Sequence, residues 1–166
     1  MHSATTNRRL LSLTNALPLP IPVRMGLLGI TYGVRGKFAT IAADEWASPS
    51  QAILARILND RPDMQLPLHY PEPQEFYLAC KDFEPYMNKL SVRLGKEQTF
   101  LSRAIRAQDE PNAATWSLMA LVTNPFNGQA YDTWKLIEWH ALDEATKRGI
   151  GDIDLLGRWP REPETA

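Results

Sequence analysis

Between Met87 and Pro111 the chain reads MNKLSVRLGKEQTFLSRAIRAQDEP, and its polar residues are types that read nucleic acid. In a major groove Gln pairs with adenine, Arg with guanine or phosphate, and Ser or Thr with either. Those contacts need a helix slim enough to enter the groove, with its apolar residues turned inward. Leu101, Ala104 and Ile105 supply an inner face, leaving Gln98, Thr99, Ser102, Arg103 and Arg106 on the other sides. Charge is concentrated in the same place: residues 86–108 carry +4, against −3 for 51–85, −5 for 109–166 and +3 for 1–50. The total of −1 excludes a generally basic nucleic-acid coat and an acidic solvating chain, so phosphate attraction must come from a local patch.

Other residues of reactive type are less well arranged. Glu138, His140, Asp143 and Glu144 share a predicted helix, and His140 and Glu144 lie at i, i+4, but two ligands from one helix do not make a metal site. Cys80 and His69 are one thiol and one base; Cys80 lies in FYLACKDF, where a small buried role is the usual one. Gly26, Gly29, Gly33 and Gly36 match no nucleotide-binding spacing. With no convergent acid, base and nucleophile, an enzyme is not expected, and neither a cofactor nor a metal is called for. One cysteine allows no intrachain disulfide, which suits a cytoplasmic protein. No apolar stretch is long enough to span a bilayer, so no membrane partner is expected. The Arg pair and leucines near the start imitate a secretion signal only weakly, because Asn15, Pro18, Pro20 and Pro22 break the run.

The elements that must position the basic window are mainly helical. Phe83, Met87, Leu90 and Leu94 recur at i, i+4, i+7 and i+11, which gives one apolar helix face, and Gly95 is suited to the left-handed turn that ends it. The periodicity predicts helices over 74–82, 85–94, 97–107, 113–122 and 129–147, with Asn112 as a cap and Gly149 as a stop. Ser48, Pro49 and Gln51 form a capping-box signature for an earlier helix ending before Pro62. Ile30–Val34 and Phe38–Ala42 are a candidate β-hairpin around Arg35–Gly36. Residues 1–22, with LPLPIP, are expected as a flexible arm whose Arg8 and Arg9 reach a groove. The expected division is this arm, an N-terminal segment over 23–70, the DNA-binding unit over 71–123, a helical packing or dimerisation element over 124–159, and a loose tail over 160–166.

The residues of the basic window resemble the phage-repressor (Cro-type) helix-turn-helix family. The resemblance is ungapped from Leu90 to Asn112. It rests on Leu90, Leu94-Gly95, Gln98, Leu101-Ser102-Arg103, Arg106 and Pro111, and extends loosely over 74–123 to Trp116, Met119 and Ala120. It implies that the second helix reads bases while the first braces it, with Gln98, Thr99, Ser102 and Arg103 on bases and Lys96 and Arg106 on phosphates. This chain departs from the family at four positions. Met87 stands where a phosphate-binding Gln is usual, Ser91 for alanine, Lys96 for an apolar residue, and Ala107 where glycine is common.

The expectation is therefore a mainly α protein: a helix-turn-helix bundle with a candidate short N-terminal hairpin. Its implied function is sequence-specific binding of double-stranded DNA for transcription regulation, for which a phage or mobile element is a natural setting. Trp116, Trp134, Trp139 and Tyr131 suit either core packing or a partner surface. The 129–147 helix is apolar on more than one side, which favours a homodimer. The competing expectation is a non-catalytic interaction or assembly factor built on the same helical scaffold.

Overall fold

The computed structural model describes residues 4–30, 42–65 and 69–163. Among them are nine α-helices and no strand: α1 (Asn7–Asn15), α2 (Ile21–Leu28), α3 (Pro49–Asp60), α4 (Pro73–Cys80), α5 (Met87–Arg93), α6 (Phe100–Ile105), α7 (Ala113–Thr123), α8 (Ala130–Lys147) and α9 (Ile153–Leu156). The expected hairpin lies outside the described residues except for its ends.

Two helices form the centre. In α7 (AATWSLMALVT) Ala114, Leu118, Met119, Leu121 and Val122 are all buried, so this helix has neighbours on every side. Asn112 caps it as expected, its Oδ1 accepting from the Thr115 N–H at 2.9 Å. In α3 the stripe Ile53, Leu54, Ile57 and Leu58 faces α1, α2, α7 and α8, with α8 its largest neighbour. One apolar cluster takes in Leu10, Ile53, Phe76, Leu94, Leu118 and Trp134, so the segments flanking α5 and α6 share a core with them. Each such side chain contributes about 1.5–3 kcal/mol through burial.

Three sequence expectations need correction. Residues 7–15 are not a flexible arm but a helix, capped by Thr6, whose Leu10 and Thr14 are fully buried. The prolines do not extend the next stretch into polyproline: Pro22 falls in the first turn of α2, where its missing N–H costs nothing. Arg8 lies against Asp44 at 3.3 Å on the surface. At the start of α3 the capping box is absent. Ser48 makes no cap bond, and Gln51 instead donates to the Leu28 carbonyl at 2.7 Å, tying α3 to the end of α2.

The start of the chain is locked by a buried charge cluster. The Glu144 carboxylate, on α8, accepts from the Thr5 N–H (2.9 Å), Thr5 Oγ1 (2.8 Å), Arg56 Nη1 (2.8 Å) and Arg148 Nε (3.0 Å). Arg148 also donates to the Ala47 carbonyl at 2.8 Å, and its guanidinium lies between the Trp46 and Trp159 rings at 5.2 and 5.6 Å.

Candidate nucleic-acid interface

The first helix of the pair, α5, buries Leu90, Ser91, Val92 and Arg93. It ends in a Schellman turn: the Gly95 N–H donates to the Val92 carbonyl at 3.0 Å and the Lys96 N–H to the Ser91 carbonyl at 3.1 Å. Gly95 has φ +81, which suits glycine. A Cβ there would lie 2.8 Å from Ser50 Oγ and from the Pro49 carbonyl carbon, and closer still to the Ser50 nitrogen. The turn is thus pressed onto the start of α3, where Ser50 Oγ donates to the Leu94 carbonyl at 2.6 Å.

The second helix, α6, is shorter than expected. A turn in which the Phe100 N–H donates to the Glu97 carbonyl at 3.0 Å leads into helix over Phe100–Ile105. Its own cap position, Thr99, makes no side-chain cap bond. Ser91 supplies one from the preceding helix: its Oγ accepts from the Leu101 N–H at 2.9 Å while donating to the Met87 carbonyl at 2.7 Å. A polar residue on the face turned toward the next helix was the signal for this role. At the far end Ala107 adopts φ +56, in the left-handed region that favours glycine. The Gln108 N–H bonds the Arg103 carbonyl at 2.8 Å, closing a second Schellman turn.

Leu90, Leu94, Leu101 and Ala104 are buried between the two helices and the core. Gln98, Thr99 and Arg106 are exposed, and Lys96, Ser102 and Arg103 are half-buried. The six candidate contacts are therefore at the surface in one stretch, though they are not equally free. Arg103 is ion-paired with Glu97 and, at 3.1 Å, with Asp109. Ser102 Oγ donates to the Thr99 carbonyl at 3.0 Å, and Arg106 Nε to the Ser102 carbonyl at 3.2 Å. The Lys96 ammonium lies 5.2 Å over the Phe100 ring. Met87 packs, partly buried, at the edge of the core.

Arg93 contributes to the sequence charge of this window but not to its surface. It is buried and ion-paired with Glu138 and, at 2.6 Å, with Asp154. The segment after α8 also lies against α5 and the turn before α6. The Gln98 N–H donates to the Gly157 carbonyl at 2.9 Å, and Trp159 Nε1 donates to the Val92 carbonyl at 2.9 Å. Nothing in the local pattern around residues 152–159 marked this contact.

The remaining reactive residues are engaged elsewhere. Cys80 is fully buried, and burial together with Glu84 pushes its thiol up to about 12, so it carries no thiolate at neutral pH. Burial, reinforced by Arg56, pulls the His140 imidazole down and keeps it neutral; its Nε2 is 3.4 Å from Asp60. Glu138, Asp143 and Glu144 are all held in ion pairs, and among the described residues no group of three or more His, Cys, Asp or Glu is placed to hold a metal. Among the described residues no helix is long and apolar enough to cross a membrane. Comparison of the chain with protein-family models, with curated proteins and with solved structures finds no match.

Proposed function

We propose that the chain binds double-stranded DNA through α5 and α6 as a helix-turn-helix and regulates transcription by occupying an operator. The observation that carries this reading is the pair of helices joined at Gly95, with Leu90, Leu94, Leu101 and Ala104 inward and Gln98, Thr99 and Arg106 outward. Gln98 and Thr99 stand at the leading end of α6, the end that meets base edges in this mode of docking. Lys96 and Arg106 flank them as phosphate contacts. Arg103 and Ser102 serve mainly to hold the turn, since Arg103 Nη2 is paired with Glu97 and Asp109 and Ser102 Oγ donates to the Thr99 carbonyl.

Selection from a random duplex library, followed by binding at several salt concentrations, tests the reading. Recovery of a preferred site is expected, with affinity falling steeply as salt rises. Lys96→Ala/Arg106→Ala should weaken binding to all sequences and lower the salt slope by about 2, while Gln98→Ala should relax the sequence preference. Binding that the double variant leaves unchanged removes the proposal.

One such unit binds weakly, and a second copy would supply the missing affinity. Lys135, Trp139, Leu142 and Thr146 follow one another along the outer side of α8, where Trp139 is 60% exposed and Leu142 is 41% exposed. That stripe is a natural seam for a homodimer, and exposed aromatics of this kind anchor interfaces. It is also the surface that the alternative reading, a protein-interaction factor without DNA, would use. Sedimentation of the intact protein should show a dimer that Trp139→Asp converts to a folded monomer. A wild-type monomer at micromolar concentration rules the seam out.

A further inference from the structure

Residues 96–110 carry Lys96, Arg103 and Arg106 against Glu97, Asp109 and Glu110, so the stretch offered to a duplex is neutral as a whole. Among the described residues Arg103 is the one cation of these three that is ion-paired, and it is paired twice. Glu97 and Asp109 both meet its Nη2, Asp109 at 3.1 Å. Glu97 comes from the turn before α6. Asp109 is brought back beside α6 by the left-handed turn at Ala107, which the Gln108 N–H closes on the Arg103 carbonyl.

What keeps Arg103 from a passing phosphate is this pairing and not burial. Its side chain is 36% exposed, whereas that of Arg93 is 9% exposed and lost to the interior. The paired position also leaves Arg103 Nε buried with no partner among the described residues, a cost that swinging out to an acceptor would relieve. The turn keeps its backbone bond wherever the guanidinium points, so the side chain can move without unmaking it.

We infer that Glu97 and Asp109 form an autoinhibitory clamp that withholds Arg103 from DNA phosphates, and that neutralising the two carboxylates turns Arg103 into a further phosphate contact. The inference rests on the DNA-binding reading. Two carboxylates fixed beside the guanidinium outcompete a phosphate that must first be brought to it. They also set negative charge against the duplex, which lowers the electrostatic attraction that carries non-specific binding.

Binding of the full chain to a short random-sequence duplex, followed over a range of salt, tests the clamp. Glu97→Gln/Asp109→Asn removes both charges, and the amide at 109 can still accept from the Glu110 N–H. This double variant is expected to bind about tenfold more tightly at moderate salt and to steepen the salt slope by about 1, the mark of one added phosphate contact. The same two substitutions in an Arg103→Gln chain should gain no more than about threefold and leave the slope unchanged, since they then relieve only general repulsion. The slope of the double variant needs no change at Arg103, so it decides the matter even where Arg103→Gln fails to fold. The clamp is overturned if the double variant binds as the wild type does, or if its slope stays the same. Should wild type and double variant both leave the duplex unbound at low salt, the DNA-binding reading falls and takes the clamp with it.

Discussion

Glu144→Ala is expected to lower the free energy of unfolding by about 3–5 kcal/mol, the usual loss when one partner of a buried ion pair is removed. Total stabilities of about 5–15 kcal/mol make that a large fraction of the whole. Glu144 is wholly buried, and its carboxylate gathers donors from Thr5, Arg56 and Arg148. Alanine leaves the Arg148 guanidinium with its charge uncompensated in the interior. Urea titration of the variant beside Glu144→Gln separates the parts: the amide keeps the volume and one acceptor, so it should lose less. A variant as stable as wild type would show that the cluster contributes nothing.

The same carboxylate sets a pH dependence. Burial alone would push the Glu144 carboxyl up, but Arg148 and the two Thr5 donors outweigh it and hold it below the ordinary range. Since its folded-state value lies below the unfolded one, its contribution is complete at neutral pH. It drains away once the pH drops under about 4, where the unfolded chain takes up the proton first. His140 acts in the same direction at higher pH. Its imidazole is pulled down by burial, so the unfolded chain protonates first as pH falls through about 6.5. Glu144→Gln should flatten the acid limb of the stability curve and leave the shoulder from His140 in place.

Gly95→Ala is the second large effect, at about 3 kcal/mol or more. The left-handed backbone accounts for about 1–2 kcal/mol of it. The rest comes from the new Cβ meeting the backbone at Pro49 and Ser50, neither of which can swing aside as a flexible side chain would. Displacing the start of α3 also breaks the Ser50 bond to the Leu94 carbonyl. A fall in melting temperature of about 6–12 °C is the measurable result, at about 2–4 °C per kcal/mol for a chain of this size. A fall of only a degree or two would mean that α3 and the turn are free to part.

Much of the helical layout was legible because it is written in local periodicity. Phe83, Met87, Leu90 and Leu94 predicted α5, Asn112 did cap α7, and α8 ends at Lys147 just ahead of Gly149. What failed was decided by distant partners. Leu10, Leu11 and Thr14 make too short a pattern to outweigh the prolines that follow, and α1 owes its place to α2 and α3. Gln51 had a capping geometry on offer and took the Leu28 carbonyl instead. In the basic window the residue types and their order were visible, while their availability was not. Arg93 is claimed by Asp154 and Glu138, far along the chain, and Arg103 by Asp109, whose approach depends on the left-handed turn at Ala107. Counting charges along a sequence cannot tell a guanidinium facing water from one neutralised in the interior.

Thr5 binds Glu144, Glu144 binds Arg148, and Arg148 stacks on Trp159, whose indole N–H holds the Val92 carbonyl. Residues near opposite ends of the described chain are thereby spliced into one strut that finishes at α5. A pull on residue 159, whether from a fused domain or a surface attachment, is delivered to α5 and to Gln98 beside it instead of being taken up by slack polypeptide.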